Sequence, residues 1–535
     1  MIKEIFSNKT KSITGAAIIL GAASFLSRLI GIVRDRIFVH QFGAGDVLDA
    51  YYAAFRIPDL VYNLLIVGAL SAGFIPIFMD LLIKDKEQAW RVTNSILNIL
   101  SVLSLFFCSI LFVFTPQIMS WIVPGFSGEK MLTTILLTRI MFISPIILGV
   151  SSVISGVLQS FKSFFIYSLT PIMYNTGIII GAVFFVPIFG VPGLAYGVVL
   201  GTLLHILIQI PTLYKHGFKY QPLFEYKNIF VKKIGKLMIP RTLGMATGQF
   251  NLLAITVIAS TLGAGSIAIF NLANNLQYFP IGIIGISFAV AAFPTLSQLV
   301  SKGCTDEMVV HLSKTIRQIL FFIIPFTISF ILLRAQIVRI ILGTGEFGWK
   351  ATILTADALA LFAISLFAQC IIPLLARGFY ALKDTWTPFL IGLVGALLNI
   401  ILAIYFKEFL GVLGLALAFS IAMIVQMALL WIALRHKVGS LQESKVIFSL
   451  FKISIAGLIM AIAIQFSKAP IANLVDMEKF WGILIQGVVS GTIGFLIYVL
   501  VCYWLKLEEI LIFKDSLQKK WLKLTSYQGE IRDIE

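Results

Sequence analysis

The sequence predicts an all-α integral membrane protein of about fourteen transmembrane helices, arranged as two six-helix lobes that are parallel repeats plus two C-terminal helices. Three observations carry this. Of 535 residues, 59% are hydrophobic and 12% charged, with a mean hydropathy of +0.98. Apolar runs of spanning length recur along the chain, and short motifs recur at one offset.

The composition excludes the commoner classes first. Soluble domains carry roughly twice this share of charge. Disorder is excluded by 45 Phe, 15 Tyr and 8 Trp, more apolar surface than an unfolded chain leaves in water. A bilayer is the remaining solvent. The 41 Lys+Arg against 25 Asp+Glu give +16, but the basic residues sit in short loops between apolar runs. That is membrane orientation, and nucleic acid is not expected as a partner.

A helix needs about 20 apolar residues to cross the hydrocarbon core. Runs of that kind lie near 13–38, 50–83, 90–115, 131–158, 165–187, 192–214, 229–262, 265–300, 312–334, 351–379, 386–406, 410–435, 446–468 and 478–505. They are too long and too uniformly apolar for barrel strands, so helices must satisfy the backbone. The first run follows a basic stretch, as in a signal peptide, but continues through Arg28 with no small-residue cleavage site and reads as a retained span. Pro58, Pro76, Pro145, Pro171, Pro280 and Pro294 interrupt several runs. Kinks at membrane depth are tolerated where they line protein or a wet cavity, which favours a moving transporter over an anchor.

Basic residues concentrate in alternate connections and the termini, at Lys84, Lys86, Arg91, Lys162, Lys215, Lys219, Lys227, Lys232, Lys233, Lys236, Lys302, Lys314, Lys437 and Lys514 to Lys523. The other side has Lys130, Lys350, Lys407 and Lys479. Both termini are therefore expected in the cytoplasm. The basic stretches near 214–236 and 506–535 are expected to lie against anionic headgroups.

The repeat is read from four matches. GAG at Gly43 recurs at Gly263, FIP at Phe74 returns as FP at Phe293, Thr170-Pro171 recurs as Thr387-Pro388, and GVPGLA at Gly190 returns as GVLGLA at Gly411. All offsets lie near 220 residues. Six helices, an even number, preserve the direction of insertion, so the halves are parallel repeats about an axis along the membrane normal. The expected boundaries are 1–218 and 219–440 for the lobes, with 441–535 holding two additional helices and a basic cytoplasmic tail. A substrate path would run between the lobes.

An ionisable residue inside a span costs about 2.5–3.5 kcal/mol or more at mid-helix and is a functional hypothesis by default. Asp49, Tyr52, Arg56, Asp59 and Asn63 recur at three- and four-residue steps, on one helical face. The first span adds Ser24, Arg28, Gly31 and Asp35, with Arg34 beside them. In the second half, Asn271, Asn274, Asn275 and Tyr278 form an uncharged polar stripe. Guanidinium groups remain protonated and present a donor fork that matches phosphate oxygens, so a lipid-linked phosphate or pyrophosphate is the expected substrate class.

Plainer readings stand beside these. Asp35 with Arg28 or Arg34, and Asp49 or Asp59 with Arg56, could be ion pairs that fix packing, and Asp49 could lie at the watered outer surface. Asn274 and Asn275 suit interhelical hydrogen bonds, Arg139 and Arg241 snorkelling at span ends, and His205 a packing role. Asp357 is a candidate coupling-ion ligand. Cys108, Cys304, Cys370 and Cys502 lack CxxC spacing and read as packing residues. No GxxxxGK[ST], HExxH or DDxxD pattern is present; neither enzyme chemistry nor a metal or cofactor is expected.

SRLIGIVRDR from Ser27, GAGDVLDAYYAAFRIP from Gly43, GALSAGFIPIF from Gly68, VPGF from Val123 and RGFYALKDTWTP from Arg377 together resemble the MurJ/MviN lipid II flippases of the multidrug/oligosaccharidyl-lipid/polysaccharide exporter superfamily. The likeness covers about residues 10–440. It implies fourteen helices, two lobes, a tail groove from the two terminal helices, and outward movement of the undecaprenyl-pyrophosphate-linked peptidoglycan precursor across the bacterial inner membrane by alternating access. Arg28, Arg34, Asp49 and Arg56 match positions of the family. Where it usually has a basic pair, a glutamate and an eighth-span arginine, this chain has Tyr62, Asn63, Val67 and Asn275.

The expected function is thus an inner-membrane lipid II flippase, a monomer whose partners are the lipid-linked oligosaccharide and membrane lipids. Other readings are an exporter of another polyprenyl-linked glycan, a cation-coupled multidrug antiporter, a membrane-embedded polyprenyl-phosphate transferase, or a non-transporting relative.

Overall fold

The computed structural model describes residues 13–64 and 73–510. Among them every regular element is a helix and no strand occurs. Ten of the described helices are long and apolar enough to cross a bilayer, or eleven if Trp349–Ala363 and Leu366–Ala381 count as one broken span. Val67 and the start of the GALSAGFIPIF stretch lie outside the described residues, as does the Arg241 side chain.

The helices break where backbone chemistry requires it. Pro58 has no N–H to offer the Ala54 carbonyl, and the run splits at Phe55 into Asp46–Ala54 and Arg56–Tyr62. Pro171 lies inside Phe164–Ile180 without breaking it. The Tyr167 carbonyl that Pro171 leaves without its N–H accepts instead from the Thr170 hydroxyl at 2.8 Å. The run expected as one span over 351–379 is bent by 45° between Ala363 and Leu366. There the Ser420 hydroxyl donates to the Leu361 carbonyl at 2.7 Å, giving the opened backbone a partner.

One compact unit comprises Met1–Leu272, Ile341–Leu354 and Ala396–Leu415. Within it, Phe164–Ile180 and Pro192–Leu207 pack through glycines. A Cβ at Gly177 would lie 2.3 Å from Gly201 Cα, and one at Gly197 would lie 2.6 Å from Gly181 Cα. Without side chains at these positions the backbones come close enough for dispersion to replace the hydrophobic driving force that lipid does not supply. An apolar cluster built on Phe74, Phe78, Val92, Val153, Val157 and Ile234 packs within this unit. Asp85 caps the Lys86–Val113 helix by accepting from the Gln88 N–H.

The other unit comprises Ala273–Ile340, Thr355–Gly395 and Ala416–Glu535. Its core gathers Leu312, Ile316, Leu374, Phe379, Ile453 and Tyr498, and the Tyr498 hydroxyl donates to the Phe321 carbonyl at 2.7 Å.

Backbone details recur along the chain. Lys162 and Lys383 both take left-handed φ, at 59° and 62°. Each closes a helix in the same way: Ser163 N–H reaches the Leu158 carbonyl, and Asp384 N–H reaches that of Phe379. Gly190 and Gly411, which open the two GV(P/L)GLA motifs, have φ of 67° and 56°.

Candidate functional site

The charged constellation of the first two spans is held inside the first unit, and the structure gives Arg34, Asp35, Asp49 and Arg56 defined partners. Arg34 donates from Nε and Nη2 to Asp35 Oδ1 at 3.0 and 2.7 Å, and from Nη1 to Asn175 Oδ1 at 3.0 Å. Asn175 donates in turn to the Pro171 carbonyl, which fixes its amide with the oxygen towards Arg34. Asp35 therefore pairs with its neighbour in sequence. Arg28 is half-buried on the same helix.

Asp49 is buried, not at a watered surface. Its carboxylate accepts from Lys130 Nζ at 2.8 Å and from the backbone N–H groups of Gly265 at 2.7 Å and Ala268 at 2.9 Å. Those amides belong to the N-terminal turn of the Ser266–Pro280 helix and the residue before it, where unpaired N–H groups and the helix dipole favour an anion. Gly265, at φ +85°, allows the approach: a Cβ there would lie 2.1 Å from the Ala44 carbonyl oxygen. Lys130 also meets Asp46 at 2.7 Å and lies 4.0 Å from the centre of the Phe126 ring.

Arg56 is the exception. Its guanidinium is 8% exposed and donates to two neutral acceptors, Thr256 Oγ1 at 2.7 Å and Asn271 Oδ1 at 2.8 Å. No described carboxylate lies within salt-bridge distance of it; Asp49 is taken by Lys130, and Asp59, one turn along, does not reach it. Asp59 acts on it only as a nearby charge, and a buried cation whose hydrogen bonds all go to neutral acceptors keeps part of its desolvation cost uncompensated. The nearby Tyr52 hydroxyl is buried with no hydrogen-bond partner. Asn63 donates to the Asp59 carbonyl at 2.9 Å, and Tyr62 meets Ser152 at 3.1 Å.

The stripe expected over Asn271 to Tyr278 divides. Asn271 belongs to the first unit with Arg56 and donates to the Ile267 carbonyl. In the second unit Asn274 accepts from Gln277, whose own oxygen accepts from Gln369, while Asn275 and Tyr278 are exposed.

Several plainer readings also meet definite partners. His205 joins Ser151 at 2.6 Å and Gln209 in a buried polar cluster. Asp357 pairs with Arg334 at 2.9 Å, and Arg139 donates to the Phe112 carbonyl. All four cysteines are free.

Sequence reasoning missed Thr256, Asn175 and Lys130. Thr256 and Asn175 are ordinary polar residues in apolar runs, without a signal of their own. Lys130 was visible as one of the few basic residues on its side of the membrane.

Helical spans, broken where they carry polar groups, and a buried guanidinium place the chain in the class of polytopic helical membrane transporters. At 18% identity, an inward-facing multidrug MATE transporter of the MOP superfamily shares the fold, with a TM-score of 0.67 over 78% of this chain and 96% of that one. The profile described as "Lipid II flippase MurJ" matches residues 38–484, and the chain belongs to that family. A probable lipid II flippase MurJ of Buchnera aphidicola subsp. Acyrthosiphon pisum is 31% identical over 447 residues, covering 82% of this chain and 87% of its own. The lipid II flippase MurJ of Burkholderia cenocepacia is 29% identical over 435 residues, 79% of this chain and 84% of its own. The solved structure titled "Lipid II flippase MurJ, inward closed conformation" aligns with a TM-score of 0.77 at 27% identity, covering 94% of this chain and all of that one.

Proposed function

We propose that this chain is a lipid II flippase of the bacterial inner membrane, moving the undecaprenyl-pyrophosphate-linked precursor outward by alternating access. The observation that carries the reading is Arg56, a buried guanidinium whose hydrogen bonds go to Thr256 and Asn271 and to no carboxylate. A diphosphate is the kind of partner that would compensate such a charge, because its oxygens match the guanidinium fork. The unpartnered Tyr52 hydroxyl supports a polar ligand nearby.

In this reading Arg28, Arg34 and Arg56 take the diphosphate in a cavity between lobes 1–218 and 219–440. Asp35, Asp49, Asp59, Asn63, Asn271, Asn274 and Asn275 line or orient that cavity. A bare diphosphate faces the desolvation cost that keeps lipids from flipping unaided; the cations lower it while the polyprenyl tail stays in lipid. The lobes then rock, and the Asp49 contacts with Gly265 and Ala268 are ones that opening the other side would break. Fourteen spans, with both termini cytoplasmic and residues 441–535 outside the repeats, complete the proposal. The chain works as a monomer without a cofactor or catalytic step.

Growth of a strain depleted of its own lipid II flippase tests this. The wild-type chain restores growth, and Arg56→Ala, at equal protein level, does not. Rescue by Arg56→Ala would refute its role, and failure of the wild type would refute the cargo.

A second reading, export of another polyprenyl-linked oligosaccharide, is favoured by neutral Tyr62 and Asn63, which are engaged with Ser152 and the Asp59 backbone. Flipping assays in vesicles with defined lipids separate the two.

A further inference from the structure

The segment joining the Ile210–Lys215 and Ile229–Ser260 helices carries no regular structure, yet its backbone is pinned along the first turns of Lys86–Val113. Asn94 donates to the Lys219 carbonyl at 3.0 Å and accepts from the Gln221 N–H at 3.1 Å. Asn98 donates to the carbonyls of Gln221 and Leu223, both at 3.0 Å. Ser95 accepts from the Glu225 N–H, and Arg91 holds the Glu225 carboxylate at 2.9 Å. The pinned residues are 219, 221, 223 and 225, and within the segment the Leu223 N–H reaches the Gln221 carbonyl at 2.8 Å and the Tyr226 N–H that of Phe224 at 3.0 Å, so tight turns and two asparagines together fix its backbone.

Tyr220, Phe224 and Tyr226 are exposed at 56%, 51% and 64%, the Tyr220 hydroxyl donating to Asn98 Oδ1 at 3.1 Å. Around them Lys215, Lys219, Lys227, Lys232 and Lys233 are exposed, and Lys227 lies 5.8 Å from the Tyr226 ring centre. The acidic residue of the segment, Glu225, is occupied by Arg91.

Depth follows from helix length. Lys86–Val113 has 28 residues, about 42 Å at 1.5 Å per residue, against a hydrocarbon core of about 30 Å. Its charged first turns project into the headgroup region, and Asn94 and Asn98, about 12 and 18 Å from the helix start, hold the segment at the boundary with the hydrocarbon core. Aromatic rings beside lysines suit that boundary, the rings at the level of the glycerol and the ammonium groups among phosphates.

We propose that residues 219–233 form a preorganised ledge that binds the headgroups of anionic phospholipids in the adjacent leaflet. The pinning removes the ordering entropy a loose basic loop would lose on binding, and the aromatic face sets its depth. The inference is independent of the cargo.

The test uses the full chain in nanodiscs doped with either a photoactivatable phosphatidylglycerol or the matching phosphatidylcholine, with adducts mapped by peptide mass spectrometry. The glycerol probe is expected to label residues 219–233 and the choline probe not to. Replacing Lys219, Lys227, Lys232 and Lys233 by Gln lowers that labelling about tenfold or more, since each lysine near an anionic surface adds to the attraction. Asn94→Leu with Asn98→Leu, which keeps every lysine, also lowers it. Equal labelling by both probes, or labelling unchanged in the lysine variant, would overturn the proposal and leave the ledge to a protein partner.

Discussion

The Lys437 ammonium donates to the Asp384 carboxylate, 221 residues after His216 meets Ser163 at 3.1 Å. Each pair ties the residue just past a left-handed helix cap, at Lys383 and Lys162, to the end of the second span that follows. The first pair is an ammonium–carboxylate ion pair and the second a hydroxyl–imidazole hydrogen bond, so a common backbone frame carries different chemistry at the two positions.

That difference predicts an acid response from the charged pair. Burial pushes the Asp384 carboxyl up, but the Lys437 ammonium, the Thr387 hydroxyl and the Thr387 N–H outweigh it and hold it at about 2. A carboxyl depressed in the folded state stabilises above its unfolded value of about 4, and that contribution disappears as pH falls towards 2. Because Lys437 is 42% exposed, the contribution is discounted to about 1 kcal/mol. Thermal midpoints in detergent at pH 5 and pH 2.5 should differ less for Asp384→Asn than for the wild type.

Loss of the two neutral acceptors of Arg56 should impair transport without unfolding the chain. Thr256→Val or Asn271→Leu each leaves part of a buried guanidinium unsatisfied, at about 1–3 kcal/mol. Each is expected to slow lipid flipping about tenfold at normal expression, and Arg56→Lys, which cannot present a fork, to do the same. Unchanged flipping rates in reconstituted vesicles would count against the site.

Asp49 should behave as a clamp. Asp49→Ala strips acceptors from two backbone N–H groups and from Lys130, at about 2–4 kcal/mol. A cysteine introduced at Ala268 is expected to react faster with a membrane-impermeant maleimide in that background. Equal rates would show that the clamp does not hold this region closed.

Glycine substitutions should separate close packing from open helix surface. Gly197→Leu places a side chain where Gly181 already lies and is expected to abolish accumulation of folded protein. Gly235→Ala meets nothing within 4 Å and should raise the thermal midpoint slightly, alanine being favoured by up to about 1 kcal/mol in helices. Fluorescence-detected size-exclusion profiles after heating report both.

By itself the sequence determined the solvent, the helical class and the family. Apolar runs of spanning length leave the backbone little choice but helix, and RGFYALKDTWTP and DAYYAAFRIP are local strings that need no partner to be read. The stripe from Asp49 to Asn63 was legible because helical spacing alone puts those residues on one face. Tertiary structure decided what each charge meets. Asp49 and Arg56 are one stripe in sequence, yet Asp49 goes to Lys130 and the Gly265 and Ala268 amides, while Arg56 goes to Thr256 and Asn271. The physical reason is that desolvation and hydrogen bonding depend on atoms about 3 Å away in space, and those partners stand 81 to 219 residues distant in the chain.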